Sequence, residues 1–271
     1  MRLKSFHFVL VFLFFCTAHS SSFAGSRQTM AAGAISSHEL IPFAKKVERY
    51  AASKGARVFL IARLGSPKSE LPENIEFTHV GLAVYSEIKT STGEVLKGYA
   101  IHNLYQNANK LDVSDLIIDY PLDFFMGIAE LKAGIIIPTL QLQQKLLASI
   151  ELGVNKHLHN TRYSVIANPY SSSYQNCTEH ILDIIFSSIY GIDEVAQIKA
   201  NERAYFKAQE IQISPLKRVL APMLSSEISI SDHKGEIKTA TFSTIAKFLN
   251  DYALAESSVV IDNTGVRVLG I

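Results

Sequence analysis

The sequence is poor in cysteine and has no tryptophan: its 271 residues contain two cysteines, Cys16 and Cys177. It also lacks an excess of either charge, since 26 basic residues face 25 acidic ones. Because it has no basic stripe and no basic residues interleaved with aromatic ones, we expect no nucleic-acid partner. Repeats and low-complexity linkers are absent too, which favours one domain over an array of small ones.

The long hydrophobic run is confined to the N-terminus. Arg2 and Lys4 precede an apolar stretch from Phe6 to Phe15, and small and polar residues follow as far as Ala24. This pattern predicts a secretory signal peptide over residues 1–24, cleaved after Ala24. About ten strongly apolar residues are too few to span a bilayer comfortably, so we expect no stable transmembrane span after cleavage.

Export changes the meaning of the two cysteines. Cys16 lies inside the signal peptide, and Phe14 and Phe15 stand where a lipoprotein signal requires small residues. The mature chain, which we expect to be periplasmic or secreted, then keeps Cys177 as its one cysteine. Such a residue is paired between chains, kept as a reactive thiol, or buried as a small apolar side chain.

Cys177 stands where a predicted helix begins. Asn176 is a favourable N-cap and Glu179 follows three residues later, which predicts a capping box with the thiol at the first helical position. The positive end of a helix favours thiolate over thiol and can stabilise an oxyanion. Cys177 is therefore a candidate nucleophile, and we expect His180, in the same first turn, to be exposed.

A nucleophilic thiol needs a base and a third group that orients the base. His79 is the strongest candidate, because it lies on a predicted strand and Gly81 lets another backbone or a substrate approach closely. This strand and residues 95–105 form a predicted hairpin. A two-residue turn places Gln106 opposite His79 and makes it the expected orienter, whereas a bulge or displaced turn would favour His102.

Other polar residues give weaker indications. Tyr163, Tyr170 and Tyr174 precede Cys177 and either line a substrate groove or pack in the core. His157 and His159 have no third ligand at a suitable spacing, so the sequence predicts no metal site. We expect no cofactor.

The spacing of apolar residues predicts a mixture of helices and strands. Helices are expected at 39–54, 139–155, 177–190, 193–212 and 242–253. Strands are expected at 57–63, 77–88, 95–105 and 133–138, and two short strands at 259–268 around Asn263-Thr-Gly265. A further hairpin is expected at 227–241, and residues 115–125 have no firm assignment. The sequence thus predicts an α+β fold with an antiparallel sheet packed on helices. After a flexible leader (25–36), residues 37–192 form the domain and 193–271 a C-terminal α/β extension packed on it.

Several motifs carry a family resemblance. They are Thr78-His-Val-Gly81, His102-Asn-Leu-Tyr-Gln106, Pro121-Leu-Asp-Phe-Phe125, Arg162-Tyr-Ser164 and the Ala167-Asn-Pro-Tyr to Tyr-Gln-Asn176 block. Over residues 55–190 the chain resembles DUF2145, a bacterial family of exported proteins. A histidine-bearing strand followed by a later cysteine helix is also similar to the circularly permuted papain-like enzymes of the NlpC/P60 group.

The resemblance implies a permuted papain-like domain and an exported cysteine hydrolase or acyltransferase. In that interpretation Cys177 is the nucleophile, His79 the general base and acid, and Gln106 or His102 the orienter. The substrate would be an amide or ester of the cell envelope, either a cell-wall peptide or an acylated lipid. The alternative is a non-catalytic periplasmic binding or envelope-assembly protein on the same scaffold. Nothing in the sequence indicates an oligomeric state.

Overall fold

The computed structural model of the protein describes residues 35–212 and 227–270. The predicted signal peptide, and the predicted leader apart from its last two residues, lie outside the described residues. The helices are α1 (Ser37–Ser53), α2 (Pro121–Phe125), α3 (Leu140–Glu151), α4 (Val154–His157), α5 (Cys177–Tyr190), α6 (Val195–Tyr205) and α7 (Phe242–Asp251). The strands are β1 (Val58–Arg63), β2 (His79–Lys89), β3 (Val95–Gln106), β4 (Ser114–Asp119), β5 (Lys132–Pro138), β6 (Gln209–Ile211), β7 (Ile237–Thr239), β8 (Ala255–Asp262) and β9 (Gly265–Val268).

One seven-stranded antiparallel sheet organises the chain, in the order β4-β3-β2-β1-β5-β8-β9. Strands β6 and β7 form a separate two-stranded sheet. The predicted combination of an antiparallel sheet with helices is therefore confirmed. Strands β8 and β9 come from the predicted C-terminal extension, and they extend the main sheet beyond β5.

Helices cover both faces of the main sheet. Leu82 of β2 shares a core with Ile185 of α5, and this side is called the α5 face. Ala83 shares a second core with Phe43 of α1 and Phe124 of α2, and this side is called the α1 face. Because successive side chains of a strand point to opposite faces, the odd-numbered His79 belongs to the α1 face.

The β2–β3 hairpin forms, but its predicted register is wrong by one residue. Leu82 pairs with His102, and the last pair, Lys89 with Val95, leaves a five-residue loop in place of a two-residue turn. Gly93 stabilises this loop by adopting a φ of 86°. Since a shift of one residue moves each side chain to the other face, Gln106 and His102 lie on the α5 face, away from His79.

The predicted hairpin at 227–241 is also wrong, because its two halves bind elsewhere. Strand β7 pairs with β6 instead. The preceding segment bonds to a third part of the chain: the carbonyl of Glu227 accepts from the N–H of Val165 at 2.9 Å. The unassigned residues 115–125 contribute most of β4 and the whole of α2.

Gly81 lies where the packed sheet has no room for a side chain. A Cβ there would lie 2.5 Å from Oδ1 of Asn103 and 2.7 Å from Cγ2 of Ile101. Gly81→Ala is therefore expected to lower the free energy of unfolding by about 1–3 kcal/mol in urea titrations, because it overpacks a buried site. Gly98→Ala on β3 is the control, since its added methyl would meet the end of the Ile88 side chain at 3.2 Å. Equal losses in the two variants would contradict this packing.

Candidate functional site

Cys177 forms part of the wall of a small pocket on the α5 face. The pocket has a volume of about 100 Å³. The thiol is 4% exposed, and its sulfur lies 4.0 Å from the carbonyl oxygen of Thr78. The rest of the lining is mainly apolar, with side chains that include Ile75, Phe77, Tyr163, Ile166, Ile211 and Ala240.

The first turn of α5 gives this pocket a polar end. Asn176 caps the helix by accepting a hydrogen bond from the N–H of Glu179 at 2.9 Å, as predicted. Asn176, Cys177 and Thr178 all line the pocket, so the positive end of the helix dipole is directed towards it. The hydroxyl-bearing Thr241 lies in the same lining. This arrangement suits a ligand with an apolar body and one oxygen-bearing end.

The second bond of the predicted capping box is replaced by an ion pair. The carboxylate of Glu179 lies 2.8 Å from Nζ of Lys199 on α6. Pairing with a buried ammonium neutralises a charge that would otherwise be isolated inside the protein. Glu179 thus ties the start of α5 to α6.

His79 lies on the opposite side of the sheet. Its side chain is buried, with Nε2 3.0 Å from Oδ1 of Asn103. The imidazole stacks on the ring of Tyr105, with ring centres 4.5 Å apart, and contacts Phe124 at 5.5 Å. Burial, together with the nearby positive charge of Arg63, lowers the pKa of His79 well below its ordinary value. The imidazole is therefore neutral at physiological pH.

Asn103 links His79 to a buried acid. The amide nitrogen of Asn103 donates to the Ile101 carbonyl at 2.9 Å and to Oδ2 of Asp119 at 3.3 Å, so Oδ1 is left to accept from His79. The hydroxyl of Tyr105 donates to the same Asp119 oxygen at 2.6 Å. Nδ1 of His79 has no hydrogen-bond partner in the part of the chain that the structure describes.

The structure does not bring Cys177 and His79 together. The thiol lies near the carbonyl of Thr78 on the α5 face, and the next side chain along the strand, that of His79, points to the α1 face. The backbone of β2 therefore separates the sulfur from the imidazole. Asn103, which no sequence pattern singled out, bonds to His79.

The two predicted orienters have other neighbours. The side-chain amide of Gln106 donates to the carbonyl of Leu111 at 2.8 Å and to the carboxylate of Glu227 at 3.0 Å. His102 is half-buried on the α5 face, and burial and the charge of Lys156 lower its pKa. The corrected hairpin register accounts for both placements.

Of the three tyrosines, Tyr163 lines the Cys177 pocket. Tyr170 lies in another cleft, where its hydroxyl donates to the carbonyl of Phe206 at 2.9 Å. The ring of Tyr174 lies 4.6 Å from the guanidinium of Arg162. Tyr163 is therefore the one whose position fits a ligand at Cys177.

His180 is buried rather than exposed, as are Cys177 and Glu179 in the same first turn of α5. Its ring centre lies 6.1 Å from that of His159. Burial lowers the pKa of His180 to about 4, so the ring is neutral at physiological pH. Across 35–212 and 227–270, no group of three or more His, Cys, Asp or Glu is arranged to hold a metal ion.

Sequence reasoning missed a buried ionic cluster between α5 and α6. Nζ of Lys199 lies 2.8 Å from Glu179, 2.6 Å from Asp183 and 3.1 Å from Glu202. Burial raises the pKa of both Glu179 and Glu202 well above the ordinary value. Burial opposes the charge of Lys199, but Asp183 and Glu179 outweigh it and raise the pKa of the ammonium. Glu179 and Asp183, four residues apart in an apolar helix, are the sequence signal that could have indicated it.

Together these features define an α+β protein with a thiol-lined apolar pocket on one face of its sheet and a buried histidine network on the other. DUF2145, described as an uncharacterized protein conserved in bacteria, matches residues 50–249. The chain belongs to this family, as its motifs predicted. No curated protein and no solved structure matches the chain. In the described part of the chain, each helix is too short or too polar to cross a bilayer.

Proposed function

We propose that this protein is a binding protein of the cell envelope that holds a small acyl group in the pocket beside Cys177. One observation carries the proposal: the thiol and the start of α5 face an apolar pocket, whereas His79 is packed on the other side of the sheet. A thiol enzyme needs its base within hydrogen-bond reach. Binding requires the pocket alone.

The chemistry of the lining supports an acyl ligand. Apolar side chains such as Ile75 and Phe77 favour a hydrocarbon, and the start of α5 favours a carbonyl or carboxylate oxygen. The volume of about 100 Å³ sets the size of the ligand. Because an apolar cavity of roughly 150 Å³ takes up benzene, this one suits a short acyl group or the end of a longer one.

The N-terminal sequence supports the location in the envelope. The chain begins with the order of features that is typical of a secretory signal: basic residues at positions 2 and 4, then the apolar run, then small residues before position 25. An exported acyl-binding protein would meet acylated lipids or acylated cell-wall components there. The thiol of Cys177 would be shielded inside the pocket by the bound acyl group.

The second candidate is the cysteine hydrolase or acyltransferase on a permuted papain-like, NlpC/P60-type scaffold. Two observations favour it: Cys177 occupies the first position of α5 inside the pocket, and His79 precedes it on a neighbouring strand. It requires the imidazole of His79 to leave Asn103 and reach the α5 face. Its substrate would be an ester or amide of the cell envelope.

Calorimetric titration of the protein without its predicted signal peptide tests the binding proposal. Hexanoate should bind saturably, whereas hexylamine, whose cationic end is repelled by the start of α5, should bind at least about tenfold more weakly. Ile75→Trp should abolish hexanoate binding by filling the pocket. Leu152→Trp is the matched control, because Leu152 is 81% exposed. Equal binding by Ile75→Trp and the wild type would exclude this pocket.

Incubation with p-nitrophenyl hexanoate separates the two candidate functions, when the release of p-nitrophenol is followed and the protein is then analysed by mass spectrometry. The binding protein should release no p-nitrophenol above the rate of a Cys177→Ser control. A hexanoyl adduct on Cys177 that turns over, and that disappears in His79→Gln, would establish the second candidate instead.

A further inference from the structure

A second recess lies on the polar side of α5, away from the Cys177 pocket. Its volume is about 380 Å³, and it is called here the α5–α6 cleft. Its lining includes His159, Asn160, Tyr174, Glu179, Asp183 and Lys199. It differs from the Cys177 pocket in that most of the residues lining it have charged or hydrogen-bonding side chains.

The ionic cluster beneath this cleft has more acids than bases. Three carboxylates, those of Glu179, Asp183 and Glu202, surround the ammonium of Lys199. The negative charge of Asp232 also acts on Glu179 and raises its pKa further. Burial favours the protonated forms of Glu179 and Glu202, and a further cation beside them would favour the ionised forms.

Glu179 also has an oxygen without a donor. Its Oε1 bonds to Lys199 at 2.8 Å, whereas Oε2 has no hydrogen-bond partner anywhere in residues 35–212 and 227–270. The side chain is 1% exposed and lies in the lining of the cleft. A buried carboxylate oxygen without a donor costs free energy unless a proton or a ligand satisfies it.

We propose that the α5–α6 cleft binds a primary ammonium group, which donates to Oε2 of Glu179. An ammonium is compact, carries one positive charge and offers three donors. Hydroxyl and amide groups of the lining, including those of Tyr174 and Asn160, surround the place where the rest of the ligand lies. The negative charge of Glu179 and Asp183 favours an amine over a neutral group. The hydroxyl and amide groups of the lining can form hydrogen bonds with the rest of a polar ligand.

Free diamines and amino sugars both present a primary ammonium group. Calorimetric titrations at low salt should use 1,5-diaminopentane for the first and glucosamine for the second. The controls are 1,5-pentanediol and glucose, in which hydroxyls replace the amines. At least one amine should bind saturably while its hydroxyl counterpart does not, and the arm that binds identifies the source. Absence of saturable binding by both amines, or equal binding by a hydroxyl counterpart, overturns the proposal.

A charge-removing variant locates the site. Glu179→Gln keeps the shape of the side chain and should weaken amine binding at least about tenfold. Glu87→Gln is the control, since the Glu87 side chain is 71% exposed on the hairpin. Unchanged affinity in Glu179→Gln overturns the proposal.

Wild-type protein provides a test that does not depend on the folding of a variant. An ammonium ligand favours the ionised form of Glu179, so affinity should rise with pH as this carboxyl loses its proton. Four charged groups act on this carboxyl: Lys199 and Glu202 from α6, Asp183 from α5 and Asp232 from the segment before β7. An affinity that is independent of pH between about 5 and about 8 would contradict ligation by Glu179.

Discussion

Lys199→Met is expected to lower the free energy of unfolding by about 3–5 kcal/mol at neutral pH, because it leaves three buried carboxylates without their cation. Lys199 lies within 3.1 Å of Glu179, Asp183 and Glu202, and its side chain is 5% exposed. Methionine has nearly the same length, so loss of packing contributes little. Urea unfolding at pH 7 measures the effect.

The loss in Lys199→Met should shrink as the pH falls. Burial already raises the pKa of Glu179 and Glu202 in the folded protein, and removal of Lys199 raises both further. A carboxyl whose pKa is higher in the folded state stabilises the fold at low pH, and that contribution is lost as pH rises through the folded pKa. The free energy of unfolding of Lys199→Met should therefore approach that of the wild type at acidic pH and fall below it by a growing margin above neutrality.

Lys247→Met is the matched control for Lys199→Met. Nζ of Lys247 lies 3.0 Å from Asp251 on the same helix, but the two side chains are 54% and 55% exposed. Its effect should stay within about 0.5 kcal/mol at every pH, as for other exposed pairs. A loss in Lys199→Met no larger than this control would mean that the buried cluster is neutralised by other means.

Asn103→Ala is expected to destabilise the protein by about 2–4 kcal/mol. Asn103 is 2% exposed, and its amide joins Nε2 of His79 to Oδ2 of Asp119. Alanine leaves the buried N–H of His79 without its acceptor, removes one donor from Asp119 and opens a cavity. Thermal and urea unfolding should both show the loss.

The exposed Asn109 on the loop before β4 supplies the comparison for Asn103. Asn109→Ala should change the free energy of unfolding by no more than about 0.5 kcal/mol. If Asn103→Ala were equally mild, the link between His79 and Asp119 would contribute nothing to the fold. That result would contradict a structural role for His79.

Much of the fold was readable from local patterns. Helix α5 begins at its Asn176 cap and ends at Gly191, where φ is 66°, and both signals lie within the sequence of the helix. Strands β1, β2, β3 and β5 follow apolar runs, and the turn at Gly265 joins β8 and β9. Each of these signals involves residues that are close together in the sequence, so each can be recognised without the structure.

The site could be predicted less well, because its geometry depends on a one-residue shift in the register of the β2–β3 hairpin. A two-residue turn would have set Gln106 beside His79, whereas the five-residue loop brings Asn103 to that face and takes Gln106 to the other. The cluster around Lys199 was missed for a related reason. Its members come from two helices that meet through tertiary packing, and no local pattern specifies that contact.

The central claim is that Cys177 acts independently of His79, and the rate of iodoacetamide labelling of Cys177 tests it most directly. The rate should be measured from about pH 5 to about pH 9 in the wild type and in His79→Gln, which keeps a donor for Asn103. We predict superimposable pH profiles, with labelling slowed in both proteins by saturating hexanoate. A rate that persists at low pH in the wild type and falls away in His79→Gln would contradict the account and establish a Cys177–His79 dyad.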